Sequence, residues 1–247
     1  MLLPVSDPTR TGKARAFLRD GFSDYVAARV LLLDNLPQQG AILSSTALEK
    51  CAKAFIALRG EKVAKTHLKP EHWEALLAHD ANAQTLFDND FVQLNQRVYG
   101  MRYTGDLPNG FNLVIASREF LAELDHMVSI IVSALKIYEN GQRQKSFFEK
   151  ANARGDDRVL RENHTIIGPS KSLFIALRPQ LVYEVRRDAK RGLVEVTYST
   201  REPAKVAGFL RPGLQPTGDG RSVEFSHWPV SPPDGSADYG IIVSESG

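Results

Sequence analysis

Residues 44–60 read Ser44-Ser-Thr-Ala-Leu-Glu-Lys-Cys-Ala-Lys-Ala-Phe-Ile-Ala-Leu-Arg-Gly60, a run free of proline that ends in glycine. Leu43, Ala47, Cys51, Phe55 and Leu58 recur along it at helical spacing and predict a buried stripe on one helix face. Gly60 suits the left-handed position just past a helix C-terminus. Ala41, Ala47, Ala52, Ala54 and Ala57 leave room for a neighbouring backbone to approach. The neighbour stands upstream, where Leu18, Phe22, Tyr25, Ala28 and Leu32 share one face of a first helix. Between the two, Asp34-Asn35-Leu36-Pro37 forms a break, because proline disfavours helical backbone in the residue before it.

Working outward, Pro70 suits a first helical turn and opens a short helix over Glu71 to Ala81. Another helix is expected from Ala83 to Met101, and the turn residues of 104–110 close it. Leu121, Leu124, Val128, Ile131, Leu135 and Tyr138 then predict a long helix from near Ile115 toward Tyr138. Beyond Asn140-Gly141 the character changes. Residues 142–157 are polar and read as a linker or helix extension. Residues 181–185 and 193–198 are β-rich runs joined by Arg186 to Gly192, and together they predict a hairpin. Arg158 to Ile167, Val223 to Val230 and Tyr239 to Val243 are further strand candidates. The expected fold class is α+β: an up-and-down helical bundle over 1–141, then a small β-rich domain over 158–247.

The 247 residues are 43% hydrophobic and 24% charged, which excludes a disordered chain, a collagen-like repeat or a disulfide framework. Cys51 is the single cysteine and fits a reducing compartment. The longest apolar patch, Met127 to Leu135, falls far short of the roughly 20 residues a spanning helix needs, so a soluble, cytoplasmic protein with no membrane contact is expected. Net charge divides unevenly. Residues 1–139 hold 15 basic and 16 acidic side chains, 140–221 hold 16 and 9, and 222–247 hold none and 4. The basic middle could attract phosphate, and the acidic tail could equally neutralise it by folding back.

Familiar catalytic signatures are missing. The sequence has no Cys-x-x-Cys, no His-Glu-x-x-His, no Gly-x-Ser-x-Gly and no glycine-rich phosphate loop. His72 and His79, with His67 upstream, lack the converging carboxylates a metal site wants. Cys51 sits on an apolar stripe and reads as a packed thiol. No metal or cofactor is expected.

Four patterns remain: the first helix, Ala14 to Arg29; the Ala-x-Glu-Lys-x-x-Lys-Ala core of the second, around Glu49, Lys50 and Lys53; His67 after a short polar loop; and Tyr99-Gly-Met-Arg-Tyr-Thr-Gly-Asp106. In that order they resemble the HEPN domain (higher eukaryotes and prokaryotes nucleotide-binding) over about residues 12–140. The resemblance implies a helical bundle that often dimerises. It also implies a choice between metal-independent ribonucleases of toxin–antitoxin, phage-defence and RNA-processing systems and non-catalytic members that bind nucleotides, RNA or proteins. The ribonucleases carry arginine, four to six residues, then histidine. Arg97 and Arg102 have no histidine within seven residues downstream, while Arg59 to His67 and Arg118 to His126 each have seven residues between them. Arg221 to His227 matches the spacing, but lies in the β-rich part, and about one such match arises by composition alone.

The resemblance therefore implies a catalytically degenerate nucleotide- or RNA-binding module, homodimeric through its helices, of a toxin–antitoxin or defence system. Its alternatives are an endoribonuclease using Arg102 with His67 or His126, and a protein-interaction scaffold. Candidate binding residues are Arg102, Tyr103, Tyr99, Asp106, Lys53, Glu49 and His67. An arginine fork binds carboxylate or phosphate, and the tyrosines either stack on a base or cap the bundle. Asp106 could instead pair with Arg102, and Glu49 with Lys53 as a surface i,i+4 pair.

Overall fold

The computed structural model describes residues 8–65, 67–68, 70–79, 87–139, 141–189, 192–201 and 242–243 of the chain. Helices α1 (Pro8–Leu33) and α2 (Pro37–Leu58) form a helical hairpin. Asn35 takes the left-handed conformation at the break, φ 61°, which asparagine tolerates better than most residues. Pro37 then starts α2 without wasting an N–H. The two helices lie close: a Cβ added to Gly40 would fall 2.7 Å from Leu32 Cγ and 3.1 Å from the Ala28 carbonyl.

Tyr25, Ala28 and Leu32 of the expected α1 stripe are buried, while Leu18 and Phe22 are half-buried. On α2 the burial is broader than the stripe. Ser44, Ser45, Leu48, Glu49, Ala52, Lys53 and Ala54 are buried as well, because α2 touches α1, α3 (Pro70–His79), α4 (Asn89–Val98), the 3₁₀ turn Tyr99–Arg102 and the sheet. The helix expected from Ala83 begins, among the described residues, at Asn89. There Asp88 caps it by accepting from the N–H groups of Asp90 and Phe91.

The long helix is shorter than its periodicity predicts. Strand β1 (Asn112–Ala116) occupies its expected start, α5 spans Ser117–Ala134, and Tyr138 lies in the short strand β2 (Tyr138–Glu139). β2 pairs with β3 (Gln142–Arg143) around Gly141. The segment read as a linker thus carries β3 and helix α6 (Phe147–Ala153), the latter fixed by a reciprocal capping box between Ser146 and Glu149. The strand expected over 158–167 is instead the single turn α7 (Asp157–Leu160) followed by turns. Asp156 caps α7, and its carboxylate competes successfully for the Arg158 N–H that a strand would offer to a neighbour. A further short helix, α8 (Lys171–Ala176), precedes β4 (Gln180–Asp188) and β5 (Gly192–Thr200), the expected hairpin.

The sheet is antiparallel in the order β1-β4-β5, with β6 (Ile242–Val243) on the far edge of β5. The Val223–Val230 candidate lies outside the described residues. Period-two alternation divides the sheet's faces. Leu113, Ile115, Tyr183 and Val185 join the helical core, and Val114, Ala116, Val182, Val196 and Tyr198 form a second, smaller cluster. Ala151, Val159 and Phe174 also belong to the main core. The molecule is α+β, a helical region followed by a small antiparallel sheet. No helix among the described residues is long and apolar enough to cross a membrane.

A buried polar clamp joins these parts. Arg29 on α1 is fully buried and donates to Asp125 Oδ1 at 2.7 Å and Oδ2 at 3.1 Å. Two further N–H groups reach the carbonyls of Arg158 (2.7 Å) and Arg161 (3.0 Å). Tyr25 donates to Asp125 at 2.7 Å and accepts from Asn163 at 3.2 Å. A buried charge needs such saturation.

Candidate functional site

The α2 C-terminus sets up the site. Glu61 N–H bonds the Ile56 carbonyl and Gly60 N–H the Ala57 carbonyl, with Gly60 at φ 76°, the two bonds of a Schellman cap. The chain therefore turns back along α2, and buried Leu68 anchors the returning loop. His67, one residue earlier, is exposed and stacks on Tyr99, ring centroids 3.8 Å apart and planes at 25°. Its Nδ1 lies 3.6 Å from Glu49 Oε2.

Glu49 in turn accepts from Lys53 Nζ at 2.5 Å through Oε1. The pair is one helical turn apart, as its spacing predicts. It is not a surface pair, however: both residues are only 8% exposed, since loop and turn residues cover this side of α2. Partial burial strengthens such an ion pair and fixes the carboxylate's direction.

From the other side, α4 tightens into the 3₁₀ turn and delivers Tyr99 and Arg102 three residues apart. Arg102 Nη1 donates to the Tyr99 hydroxyl at 2.6 Å. Its guanidinium carbon lies 5.1 Å from the Tyr99 ring centroid and 5.8 Å from that of Tyr103, within cation–π range. Tyr103 is 60% exposed. Lys53, Glu49, His67, Tyr99, Arg102 and Tyr103 thus form one chain of contacts.

Asp106 stands exposed on the next 3₁₀ turn, Thr104–Asp106. Among the described residues no ion pair joins it to Arg102. His126 lies half-buried on α5. Arg221 and His227 fall outside the described residues. His72 is buried on α3, and among the described residues no three His, Cys, Asp or Glu groups converge as a metal site.

Sequence reasoning missed the support behind the turn. Arg187 of β4 donates to the Thr104 carbonyl at 3.4 Å, and its own carbonyl accepts from Gly110 at 2.8 Å. One arginine of the basic stretch 140–221 therefore lies against the turn that follows Tyr103. Arg97 is spent on structure, donating to the Asn112 carbonyl at 2.9 Å and lying over Phe111.

The arrangement offers aromatic faces, a guanidinium fork, and an imidazole backed by a carboxylate. Planar bases stack on such aromatics and on guanidinium planes, and phosphates accept from arginine forks. Comparison with family models, with curated proteins and with solved structures finds no match.

Proposed function

We propose that this chain is an HEPN-like module that binds a nucleotide or single-stranded RNA, working in the cytoplasm as a homodimer within a toxin–antitoxin or defence system. The observation that carries the binding reading is Tyr99, which holds the His67 ring on its face and the Arg102 guanidinium on its hydroxyl. A base stacking on exposed Tyr103 would place its phosphate within reach of Arg102, with Arg187 behind the turn. The defence context and the dimer rest on the sequence resemblance.

The test is binding of a fluorescent single-stranded RNA across a salt series, with cleavage read from the same samples. Binding should weaken steeply with salt as counterion release is lost. Tyr103→Ala should weaken it by roughly 1–3 kcal/mol, the value of one stacked base. Absence of binding at low salt, or an unchanged affinity in Tyr103→Ala, defeats the proposal.

One contact favours a second reading, a metal-independent endoribonuclease. Glu49 lies behind the His67 imidazole while Arg102 meets the same tyrosine, so an acid–base group and a phosphate-binding cation stand together. His67→Ala and Arg102→Ala should then each abolish RNA cleavage in nuclease-free preparations, and cleavage that survives either change removes the reading.

A further inference from the structure

A second candidate site lies on the other side of the helical hairpin, formed by α1, α5 and the arm that leads into α6. Leu18, Phe22 and Tyr25 are spaced by four and three residues and turn one face of α1 toward a cleft. Val128 and Val132 of α5, with Leu135 just past its end, line the opposite wall. Leu18 to Tyr25 is seven steps along α1, roughly 10 Å at the α-helical rise. Phe147 and Phe148 close the third side, with the Phe147 ring stacked 6.3 Å from that of Phe22 and the Phe148 ring 6.1 Å from that of Tyr25.

Leu18, Phe22, Val132, Phe147 and Phe148 are all only half-buried. Aromatic and aliphatic walls therefore face one another across space that the protein leaves unfilled. Cys51 of α2 contributes to the lining, and Gly21 presents no side chain there.

The charged lining of this cleft has one sign. Arg15, Lys145 and Lys150 contribute to it, and among the described residues no aspartate or glutamate does. Arg15 is held by Glu139 at the end of β2. The Lys150 amine lies 5.5 Å from the Phe147 ring centroid, and Lys145 is exposed. An apolar slot with cations at its mouth selects for an apolar body carrying a negative end, since orientation in such pockets comes from a few placed polar groups.

We propose that this cleft binds a small amphiphile with an aliphatic chain and a terminal carboxylate, the chain between α1 and α5 and the carboxylate at Lys145 and Lys150. The site shares no residue with the Tyr99 cluster, and its test uses no RNA.

Isothermal titration of the full chain with octanoate, and separately with octyltrimethylammonium, decides it, both ligands being kept below micelle-forming concentrations. Octanoate should bind with one-to-one stoichiometry and the cation should not. Lys145→Glu combined with Lys150→Glu should weaken octanoate roughly tenfold, the scale of two partly exposed ion pairs lost. Val132→Trp, which fills the slot from α5, should abolish binding while the far-ultraviolet circular dichroism stays that of the parent. Equal binding of both amphiphiles, binding of neither, or octanoate affinity unmoved in a folded Val132→Trp variant overturns the proposal.

Discussion

Arg29 and Asp125 are 96 residues apart in the chain and share two hydrogen bonds in a site with no exposed surface. Removing one partner leaves the other buried and uncompensated, so Arg29→Met should destabilise the fold by about 3–5 kcal/mol in urea denaturation. The double variant Arg29→Met with Asp125→Leu should recover much of that loss, because it strands no charge. A loss in the double variant as large as in the single one would show that packing, not charge, dominates at this position. None of this pairing could be read locally: Tyr25 reads as part of the apolar stripe of its helix, and Arg29 as the polar margin beside it. Cys51 was legible, because a lone cysteine on an apolar stripe is most simply a packed thiol. Burial is the main force on it, with Asp24 adding to the effect, and together they push its thiol up to about 12. At neutral pH the folded protein should resist alkylation by iodoacetamide and react fully once denatured, as mass spectrometry would record. Rapid labelling of the native state would contradict that burial. At the candidate site, six of the seven residues picked out from sequence meet in space, and Asp106 is the one left outside that chain of contacts. Their order along two helices was readable, whereas the loop-borne stacking of His67 on Tyr99 depends on how the loop folds back.

At the scale of the element, the end of α2 was readable. Gly60 has the left-handed conformation that its position after Leu58 and Arg59 suggested. An alanine there would strain the backbone, and its Cβ would lie 2.5 Å from the Arg10 Cζ, the far end of a flexible side chain that can move. Gly60→Ala should therefore cost about 1–2 kcal/mol, chiefly from the left-handed backbone, and, on the proposed RNA-binding reading, should weaken that binding by displacing His67. Stability and binding measured on one preparation would separate the two effects. The α6 capping box makes a pH prediction. Slight burial works against ionisation of Glu149, but the Ser146 N–H, the Arg143 guanidinium and the Ser146 hydroxyl side of the box outweigh it and hold its carboxyl below the ordinary range. A carboxylate depressed in the folded state stabilises above its unfolded pKa, about 4.3, and loses that contribution as pH falls through the folded value. Glu149→Gln should flatten this part of the acid limb in thermal melts between pH 5 and pH 3, roughly the window of that titration. Strand β1 went unanticipated: no element was expected over 111–114, and the long helix was expected to begin near Ile115. Leu113, Val114 and Ile115 merge into the apolar pattern of the following helix, and their partner β4 lies about 70 residues downstream. A strand whose pairing is that remote leaves only a short apolar run, which periodicity alone cannot tell from a helix.

For the whole molecule, the helical part and the sheet share one apolar core, because β1 arises between α4 and α5 yet pairs with β4 along Asn112–Ala116. The α+β class and the β4–β5 hairpin were legible, since each rests on local pattern and turn residues. Their union was not, since it depends on contacts made only after collapse. The consequence can be tested with a fragment. Residues 1–139 keep the hairpin of α1 and α2 and the candidate binding cluster, but they lose β4, the hydrogen-bond ladder of β1, and the core side chains of Ala151, Val159, Phe174, Tyr183 and Val185. They also lose the Arg158 and Arg161 carbonyls that saturate Arg29. Each stranded group costs free energy that a chain of this size cannot spare, given a usual total stability of about 5–15 kcal/mol. The fragment should keep helical far-ultraviolet dichroism while losing near-ultraviolet signal and binding a hydrophobic dye, the marks of a compact state without fixed packing. A fragment that melts cooperatively and gives dispersed amide resonances would instead mean that the helical part folds alone, and that the sheet and the Arg29 clamp add little to it.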